Sequence, residues 1–243
     1  MRTIVIGDIH GAYRALLQVL ERADVSDKDH LIFLGDYVDG WSESEKVIEL
    51  LRELQLKITC TFIRGNHDTW CETWLKSGLA DPVWKFHGGA STLSSYAQVD
   101  DKTRLKHLVF FNRMKDYYID SNNNLFIHAG FTSMHGPEKE VYASNYSWDR
   151  TLWETALAMD PQITKESAYY PKRLKWFNEL FIGHTPTLNN GQLTPMNAAN
   201  VWNLDTGAAF YGPLSAMDIH TKQLWQSDPV PSLYPGEKGR NKD

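Results

Sequence analysis

Side chains that bind metal ions occur in five short segments of the chain. The segments contain, in order, Asp8 and His10, Asp36 and Asp39, Asn66 and His67, His128, and His184. Carboxylate, imidazole and carboxamide groups without a thiolate suit Mn²⁺, Fe²⁺, Zn²⁺ or Mg²⁺. The set is too large for one ion, whereas two ions about 3.5–4 Å apart would use all of it. The residue types therefore predict a two-metal centre.

The charge of such a centre would favour phosphate. Two divalent cations carry four positive charges, and Asp8, Asp36 and a bridging hydroxide return three negative ones. The site would stay positive although the chain has 25 Lys and Arg against 30 Asp and Glu, a formal net charge of −5. A phosphate must be attracted locally, because the overall field is mildly repulsive. This charge balance predicts a site that can hold a phosphate.

Each segment follows an apolar stretch with strand character. The stretches are Thr3–Gly7, Leu31–Leu34, Ile58–Ile63, Leu125–Ile127 and Leu180–Ile182. Helical patterns, in which apolar residues share one face, follow the first two. Strand–loop–helix repeats predict a parallel sheet, and the carboxyl ends of its strands face one crevice. We therefore expect the five segments to meet at that crevice.

The chain as a whole predicts a single domain over residues 1–243. Thr69–Lys115 has a helical, Trp-rich pattern, whereas Tyr142–Lys175 is irregular and suits an insertion or a cap over a site. Short strands separated by turns follow from Val201 and predict antiparallel pairing. Residues 228–243 carry Pro, Gly and charge, which predicts a flexible tail. These elements predict an α/β fold, a two-sheet mixed β-sandwich flanked by helices.

Composition narrows the class of protein. Aromatic residues make up 12% of the chain, which argues against disorder. The negative net charge gives no electrostatic reason for a nucleic-acid polymer or an anionic membrane as partner. Cys60 and Cys71 are the two cysteines, and their positions do not suggest a disulfide. The apolar run before Asp8 is too short for a signal peptide or a membrane span. We expect a cytoplasmic protein.

Taken together, the five segments resemble the calcineurin-like metallophosphoesterases. Within that family they are most similar to the phosphoprotein-phosphatase group, in its bacterial and bacteriophage-type Ser/Thr phosphatase branch. Trp84–Tyr96, with its Gly88-Gly89 pair, and Trp148-Asp149-Arg150 resemble that branch as well. The matching segments are Gly7-Asp8-Ile9-His10-Gly11, Gly35-Asp36-Tyr37-Val38-Asp39-Gly40, Gly65-Asn66-His67-Asp68, His128-Ala129-Gly130 and Gly183-His184.

The resemblance implies a role for each site residue. Asp8, His10 and Asp36 would hold the first metal, and Asp36 would bridge to a second metal held by Asn66, His128 and His184. A metal-bridging hydroxide would attack phosphorus in line. His67 would protonate the leaving oxygen while Asp39 supports its imidazolium. Arg150, together with Asn66, would contact the substrate. Mn²⁺ is the expected cofactor, with Fe, Zn or Mg as alternatives.

The sequence departs from the family at one position. The family usually has Arg directly after the second Asp of the GDxxD segment, and this chain has Gly40 followed by Trp41. The resemblance first implies hydrolysis of phosphomonoesters, as a phosphatase for phosphoserine, phosphothreonine or phosphotyrosine in proteins or peptides. The alternative is a hydrolase of dinucleoside polyphosphates such as diadenosine tetraphosphate. Gly40 favours that alternative, as does Trp41, which could stack on a base.

Overall fold

The computed structural model describes residues 2–241, and ten strands in two sheets form its centre. The first sheet contains β1 (Thr3–Ile6), β2 (His30–Phe33), β3 (Thr59–Phe62), β9 (Ser215–Asp218) and β10 (Leu224–Gln226). The second contains β4 (Tyr117–Ile119), β5 (Leu125–Ile127), β6 (Leu180–Ile182), β7 (Met196–Ala198) and β8 (Val201–Asn203). Their spatial orders are β10-β9-β1-β2-β3 and β4-β5-β6-β8-β7.

Both sheets contain parallel and antiparallel strands. In the first, β1, β2 and β3 pair in parallel, with Val5 opposite Ile32, while β9 and β10 pair antiparallel. In the second, β5, β6 and β8 are parallel, and β4 and β7 are the antiparallel edges. Because parallel strands end on the same side, the loops after β1, β2, β3, β5 and β6 reach one edge of the sandwich.

The central strands are apolar on both faces. Along each strand, one residue faces the core between the two sheets and the next faces the helices outside. Val5 and Ile32 of the first sheet meet Phe126 and Phe181 of the second in a core between the sheets. Their strand neighbours, such as Ile4, face the helices on the outside. Continuous apolar stretches are typical of strands buried on both faces. Each fully buried Val, Ile or Phe side chain contributes about 1.5–3 kcal/mol.

Helices cover the outer face of each sheet. Those near the first sheet are α1 (Tyr13–Arg22), α2 (Ser44–Leu54), α3 (Asn66–Ser77), α4 (Pro82–Trp84), α5 (Ala90–Ser95), α6 (Asp101–Asn112) and α10 (Val230–Leu233). Those near the second are α7 (Asn145–Trp148), α8 (Thr151–Ala158) and α9 (Lys172–Lys175). A π-helical turn, Lys85–Gly89, joins α4 to α5. Among the described helices, none has the length and apolar character needed to cross a membrane.

This architecture confirms the predicted α/β fold, a two-sheet mixed β-sandwich flanked by helices. The prediction for Tyr142–Lys175 was wrong in one respect, since this stretch contains α7, α8 and α9. Leu152 and Trp153 of α8 are buried against the second sheet, so they belong to its core rather than to a cap. The short edge strands β4 and β7 were not predicted, because three-residue strands leave little periodicity.

The C-terminal segment packs on the body of the protein. Tyr234 stacks on Trp41 and donates a hydrogen bond to Glu43. The Glu237 carboxylate accepts hydrogen bonds from the backbone and side chain of Ser42, and the Arg240 N–H donates to the carbonyl of Ala209. A flexible tail was predicted for 228–243; its described part makes these contacts, and 242–243 lie outside the described residues.

Candidate metal centre

Loops at one edge of the sandwich bring the predicted side chains together. They contribute Asp8 and His10 after β1, Asp36 and Asp39 after β2, Asn66 and His67 after β3, His128 after β5 and His184 after β6. All eight residues are buried, with exposed fractions between 0% and 8%. Several form one wall of a cavity of about 430 Å³, which Arg150 also lines.

The backbone of these loops is unusual. His10, Asp36, Asp39 and His184 have positive φ values between 52° and 74°. This left-handed region is uncommon for residues with a Cβ atom and costs about 1–3 kcal/mol for each residue. Four such residues around one cavity indicate that the fold holds their side chains in place for a function other than stability.

Asp36 lies between two groups of candidate ligands. Its carboxylate and the ring nitrogens of His10 and His67 have atoms within 4.8 Å of one another, and so do Asp36, His128 and His184. Oδ2 of Asp36 is 3.5 Å from Nε2 of His10 and 3.4 Å from Nε2 of His128. A carboxylate shared by two clusters of this kind has the position of a bridging ligand.

The imidazoles are oriented by backbone carbonyls. Nδ1 of His128 donates a hydrogen bond to the carbonyl of Leu34 (2.7 Å), and Nδ1 of His10 donates to that of Asp39 (3.0 Å). In both rings Nε2 faces Oδ2 of Asp36, and Nε2 of His128 also lies 3.2 Å from Oδ1 of Asn66. This arrangement is typical of metal-binding histidines, whose other nitrogen is held by a hydrogen bond to the protein.

Two buried polar atoms at the site lack a hydrogen-bond partner within residues 2–241: Oδ1 of Asp8 and Nε2 of His184. The other oxygen of Asp8 accepts from the backbone N–H of His184 (3.0 Å), so the two side chains are neighbours. Asn66 is adjacent, with Oδ1 3.1 Å from Nδ1 of His184. Unpaired buried atoms are costly unless they coordinate a ligand. The donor set therefore fits divalent cations.

Close approach of the loops requires glycine at two positions. A Cβ atom at Gly65 would overlap Oδ1 of Asp36, and a Cβ atom at Gly183 would overlap Oδ1 of Asp8. Any larger residue would displace a candidate ligand. These contacts give a physical reason for the glycine next to Asn66 and next to His184.

Burial and the charges of neighbouring side chains determine the pKa values at the centre. Burial raises the pKa of Asp8, and the carboxylate of Asp205 adds to this rise. Burial would raise the pKa of Asp36, but the imidazoles of His128, His67 and His10 together outweigh burial and hold this pKa well below its usual value. Burial lowers the pKa of His10, which keeps its ring neutral and able to coordinate.

His67 and Asp39 form a hydrogen-bonded pair beside the clusters. Nδ1 of His67 donates to Oδ2 of Asp39 at 2.6 Å, which leaves Nε2 toward the cavity. The Asp39 carboxylate also accepts from the indole N–H of Trp84 and the hydroxyl of Thr92, each at 2.6 Å. These two donors come from the 84–96 stretch, and they stabilise a fully buried negative charge.

Asp68 holds the second and third loops together. Its carboxylate accepts backbone hydrogen bonds from Gly65, Asp36 and Tyr37 at 2.8–2.9 Å. Burial and the neighbouring charge of Asp36 raise the pKa of Asp68 to about 7. The residue thus positions Asp36 without lining the cavity.

The sequence interpretation missed two charged residues that line the cavity, Asp205 and Arg240. Asp205 is buried, and burial raises its pKa to about 6. Like Asp8, it lies two residues after a parallel strand, here β8, although its glycine, Gly207, comes after the Asp. The sequence therefore contained a usable signal. Arg240 lies in the C-terminal segment, and no local pattern points to it.

Aromatic rings form the other wall of the cavity. Trp70, His87, Trp148, Phe210 and Tyr211 line it. Trp70 stacks on His87 with centroids 6.1 Å apart, and Trp148 packs edge-on against Trp70 at 5.2 Å. These rings could receive a planar group.

The expectation that Trp41 could stack on a base is contradicted. Trp41 is fully buried, and its indole N–H donates to the carbonyl of Ala208 while its ring stacks on Tyr234. Arg150, in contrast, lines the cavity, and no described Asp or Glu lies within 4 Å of its guanidinium.

Comparison with known proteins identifies the class. Residues 1–212 match the calcineurin-like phosphoesterase family, and the chain belongs to that family. It is a phosphoester hydrolase of a family that uses divalent metals. The chain is 24% identical to the bis(5'-nucleosyl)-tetraphosphatase PrpE [asymmetrical] of Halalkalibacterium halodurans, over 99% of both chains, and 26% identical to the protein of that name from Anoxybacillus flavithermus, over 88% of both.

A solved structure supports the fold. A protein serine/threonine phosphatase from Saccharomyces cerevisiae superposes with a TM-score of 0.64 at 14% identity, covering 99% of this chain and 83% of the yeast chain. At this identity the likeness concerns the fold alone.

Proposed function

We propose that this enzyme hydrolyses dinucleoside polyphosphates, the alternative favoured by Gly40 in the sequence. The observation that carries the proposal is the cavity beside the metal centre, which has aromatic rings on one wall and the two arginines Arg150 and Arg240. A nucleotide offers a base for the rings and phosphates for the arginines. The PrpE relatives named above support this substrate class.

The size of the cavity agrees with this substrate. A volume of about 430 Å³ lies in the range of small-molecule sites, about 300–1,000 Å³. Trp148 is 44% exposed and Tyr211 is 57% exposed, so each offers ring surface to a ligand. Exposed aromatic rings beside a phosphate site are typical of nucleotide binding, and one stacked base contributes about 1–3 kcal/mol.

The residues that would hold the cations are those found around Asp36. In this proposal Asp8, His10 and Asp36 bind one ion. Asp36, Asn66, His128 and His184 bind the other, with Mn²⁺ as the expected metal. Bound divalent cations neutralise phosphate charge and supply a water-derived nucleophile at neutral pH.

The chain itself supplies the proton for the leaving group. We assign this role to His67, whose Nδ1–H is held by Asp39, so that the proton available for transfer sits on Nε2. Asp39 keeps the ring in this orientation and fixes which nitrogen faces the cavity. Arg150 binds a phosphate oxygen, because its guanidinium has no carboxylate partner in the described part of the chain.

A substrate panel tests the proposal. We expect Mn²⁺-loaded enzyme to cleave diadenosine tetraphosphate with a higher kcat/KM than phosphoserine, phosphothreonine or phosphotyrosine peptides. Product analysis then separates asymmetrical cleavage (ATP and AMP) from symmetrical cleavage (two ADP). Diadenosine tetraphosphate left intact while a phosphopeptide is hydrolysed would overturn the proposal in favour of the protein phosphatase predicted from the sequence.

A variant of Trp148 tests the aromatic wall. Trp148→Ala should lower kcat/KM for diadenosine tetraphosphate about 5- to 150-fold, the effect of one lost stacking interaction. The value for a phosphoserine peptide should change far less. Tyr169→Ala is a matched control, since Tyr169 is 85% exposed and does not line the cavity. Equal losses for both substrates in Trp148→Ala would contradict base stacking.

A further inference from the structure

We propose that Arg240, supplied by the C-terminal segment, is a phosphate-binding residue of the active site. The inference rests on the proposed function in one respect, that the substrate carries a phosphate. Every substrate of a phosphoesterase has this group. Arg240 lies 200 positions after Gly40, which stands where the family usually has an arginine. The Arg240 side chain passes next to Gly40 and lines the cavity.

The C-terminal segment is fixed to the loop that contains Gly40. Trp41 stacks on Tyr234 at 5.1 Å, and Ser42 donates two hydrogen bonds to the carboxylate of Glu237. At Gly239 the backbone has φ of +58°, and a Cβ atom there would lie 2.6 Å from the Trp41 ring. These contacts hold the C-terminal segment against the loop after β2 and place Arg240 at the cavity.

Two glycines make room for the Arg240 side chain. A Cβ atom at Gly40 or at Gly88 would lie 3.3 Å from Cγ of Arg240. The guanidinium continues over the ring of Phe210, 5.4 Å from its centroid, a cation–π contact that limits its rotation. Because Gly40 has no side chain, the aliphatic part of Arg240 can pass next to it.

The charge of Arg240 has no partner among the described residues. Within residues 2–241 no Asp or Glu lies within 4 Å of its guanidinium. The other arginine of the cavity, Arg150, likewise has none and is near His184, whereas Arg240 is near His10 and Asp205. The two guanidinium groups thus act on different candidate ligands of the metal centre.

This placement suits a phosphate-bearing substrate. A guanidinium presents a planar fork of N–H donors that binds two phosphate oxygens at once, and such charge-assisted bonds are stronger than neutral ones. The chain is acidic overall, so positive charge near the centre must come from individual residues. Arg240 adds one such charge on the side of the first candidate metal position.

Inorganic phosphate is the probe for this role. Calorimetric titration of Mn²⁺-loaded Arg240→Ala should give a phosphate Kd about 10- to 100-fold higher than that of wild type. The competitive inhibition constant of phosphate in p-nitrophenyl phosphate hydrolysis should rise by the same factor. Arg240→Lys should recover only part of the loss, because an ammonium group lacks the bidentate fork.

The control is Lys238→Ala, which removes one positive charge from the same segment two residues earlier. Lys238 is exposed and does not line the cavity, so we expect its phosphate Kd to match that of wild type. Metal content and melting temperature of Arg240→Ala should also equal those of wild type. A merely structural role would instead lower metal content or stability along with phosphate binding, and full recovery by lysine would contradict bidentate contact.

An unchanged phosphate Kd in Arg240→Ala would overturn the inference. Failure of the wild-type enzyme to cleave diadenosine tetraphosphate would refute the proposed substrate class and leave the phosphate-binding result intact. The two claims are therefore tested separately.

Discussion

Replacing Asp39 by asparagine tests the assigned proton donor most closely, because the structure allows an isosteric exchange. The amide oxygen of Asp39→Asn can accept from His67 and Trp84, and its NH₂ group then faces the hydroxyl of Thr92. That hydroxyl can direct its proton to Ser44, which lies 3.0 Å away. The exchange removes the negative charge and keeps these three contacts. One amide hydrogen is left buried without a partner, so the fold should be retained with a lower stability.

The expected effect follows from the lost charge. A buried, charge-assisted hydrogen bond at 2.6 Å becomes a neutral one, and the protonated ring of His67 loses its carboxylate partner. We estimate a cost of about 2–3 kcal/mol in the transition state, which lowers kcat about 30- to 150-fold. His67→Asn, which removes the donor itself, should cost about 10²–10⁴-fold.

The assay compares leaving groups. The loss in Asp39→Asn should be large for diadenosine tetraphosphate or an alkyl phosphate, and small for an activated aryl phosphate whose leaving group needs no proton.

Glu49→Gln is the matched control for this experiment. Glu49 accepts a hydrogen bond from the buried ring of His107 outside the site, at 2.9 Å. We expect its kcat to stay at the wild-type value. If Asp39→Asn lowered the rates of activated and unactivated substrates equally, or left both unchanged, the assignment of His67 as proton donor would be refuted.

Two further predictions concern metal binding and acid stability. Asp36→Ala should lose both metal ions, because Asp36 is shared by the two ligand groups. In urea unfolding, metal at 100 times Kd should raise the free energy of unfolding of wild type by about 2.7 kcal/mol. The free energy of unfolding of the variant should not change when metal is added. Arg2 holds the pKa of Asp29 at about 2 through two hydrogen bonds. This lowered pKa stabilises the fold above about pH 4, and the contribution is lost as pH falls through about 2. Asp29→Asn should therefore cost about 1 kcal/mol at pH 6 and progressively less as the pH falls through about 2. A cost that does not depend on pH would contradict the ion pair.

Much of the site could be predicted because its parts are local in sequence. A parallel strand followed by a glycine turn fixes where the next polar side chain goes, so the loops after β1, β2 and β3 could be placed together from the sequence alone. His128 and His184 followed the same pattern. Asp205 obeys it too, and it was missed only because the stretch around β8 was assigned to the antiparallel part of the chain.

The remaining features depend on tertiary packing. The burial of Trp41 follows from its contact with Tyr234, and nothing near position 41 in the sequence indicates that partner. Arg240 reaches the cavity because its segment binds the loop of Gly40, almost the whole chain length away. Contacts of this kind arise from the complete fold, and residue types and spacing do not encode them.

The central claim, that the loops together bind two cations, is tested most directly by counting metal ions in the purified protein. Inductively coupled plasma mass spectrometry of protein equilibrated with Mn²⁺ and freed of excess metal should give two ions per chain. Asp36→Ala measured in parallel should give none. A wild-type stoichiometry of one ion or fewer at saturation would contradict the account.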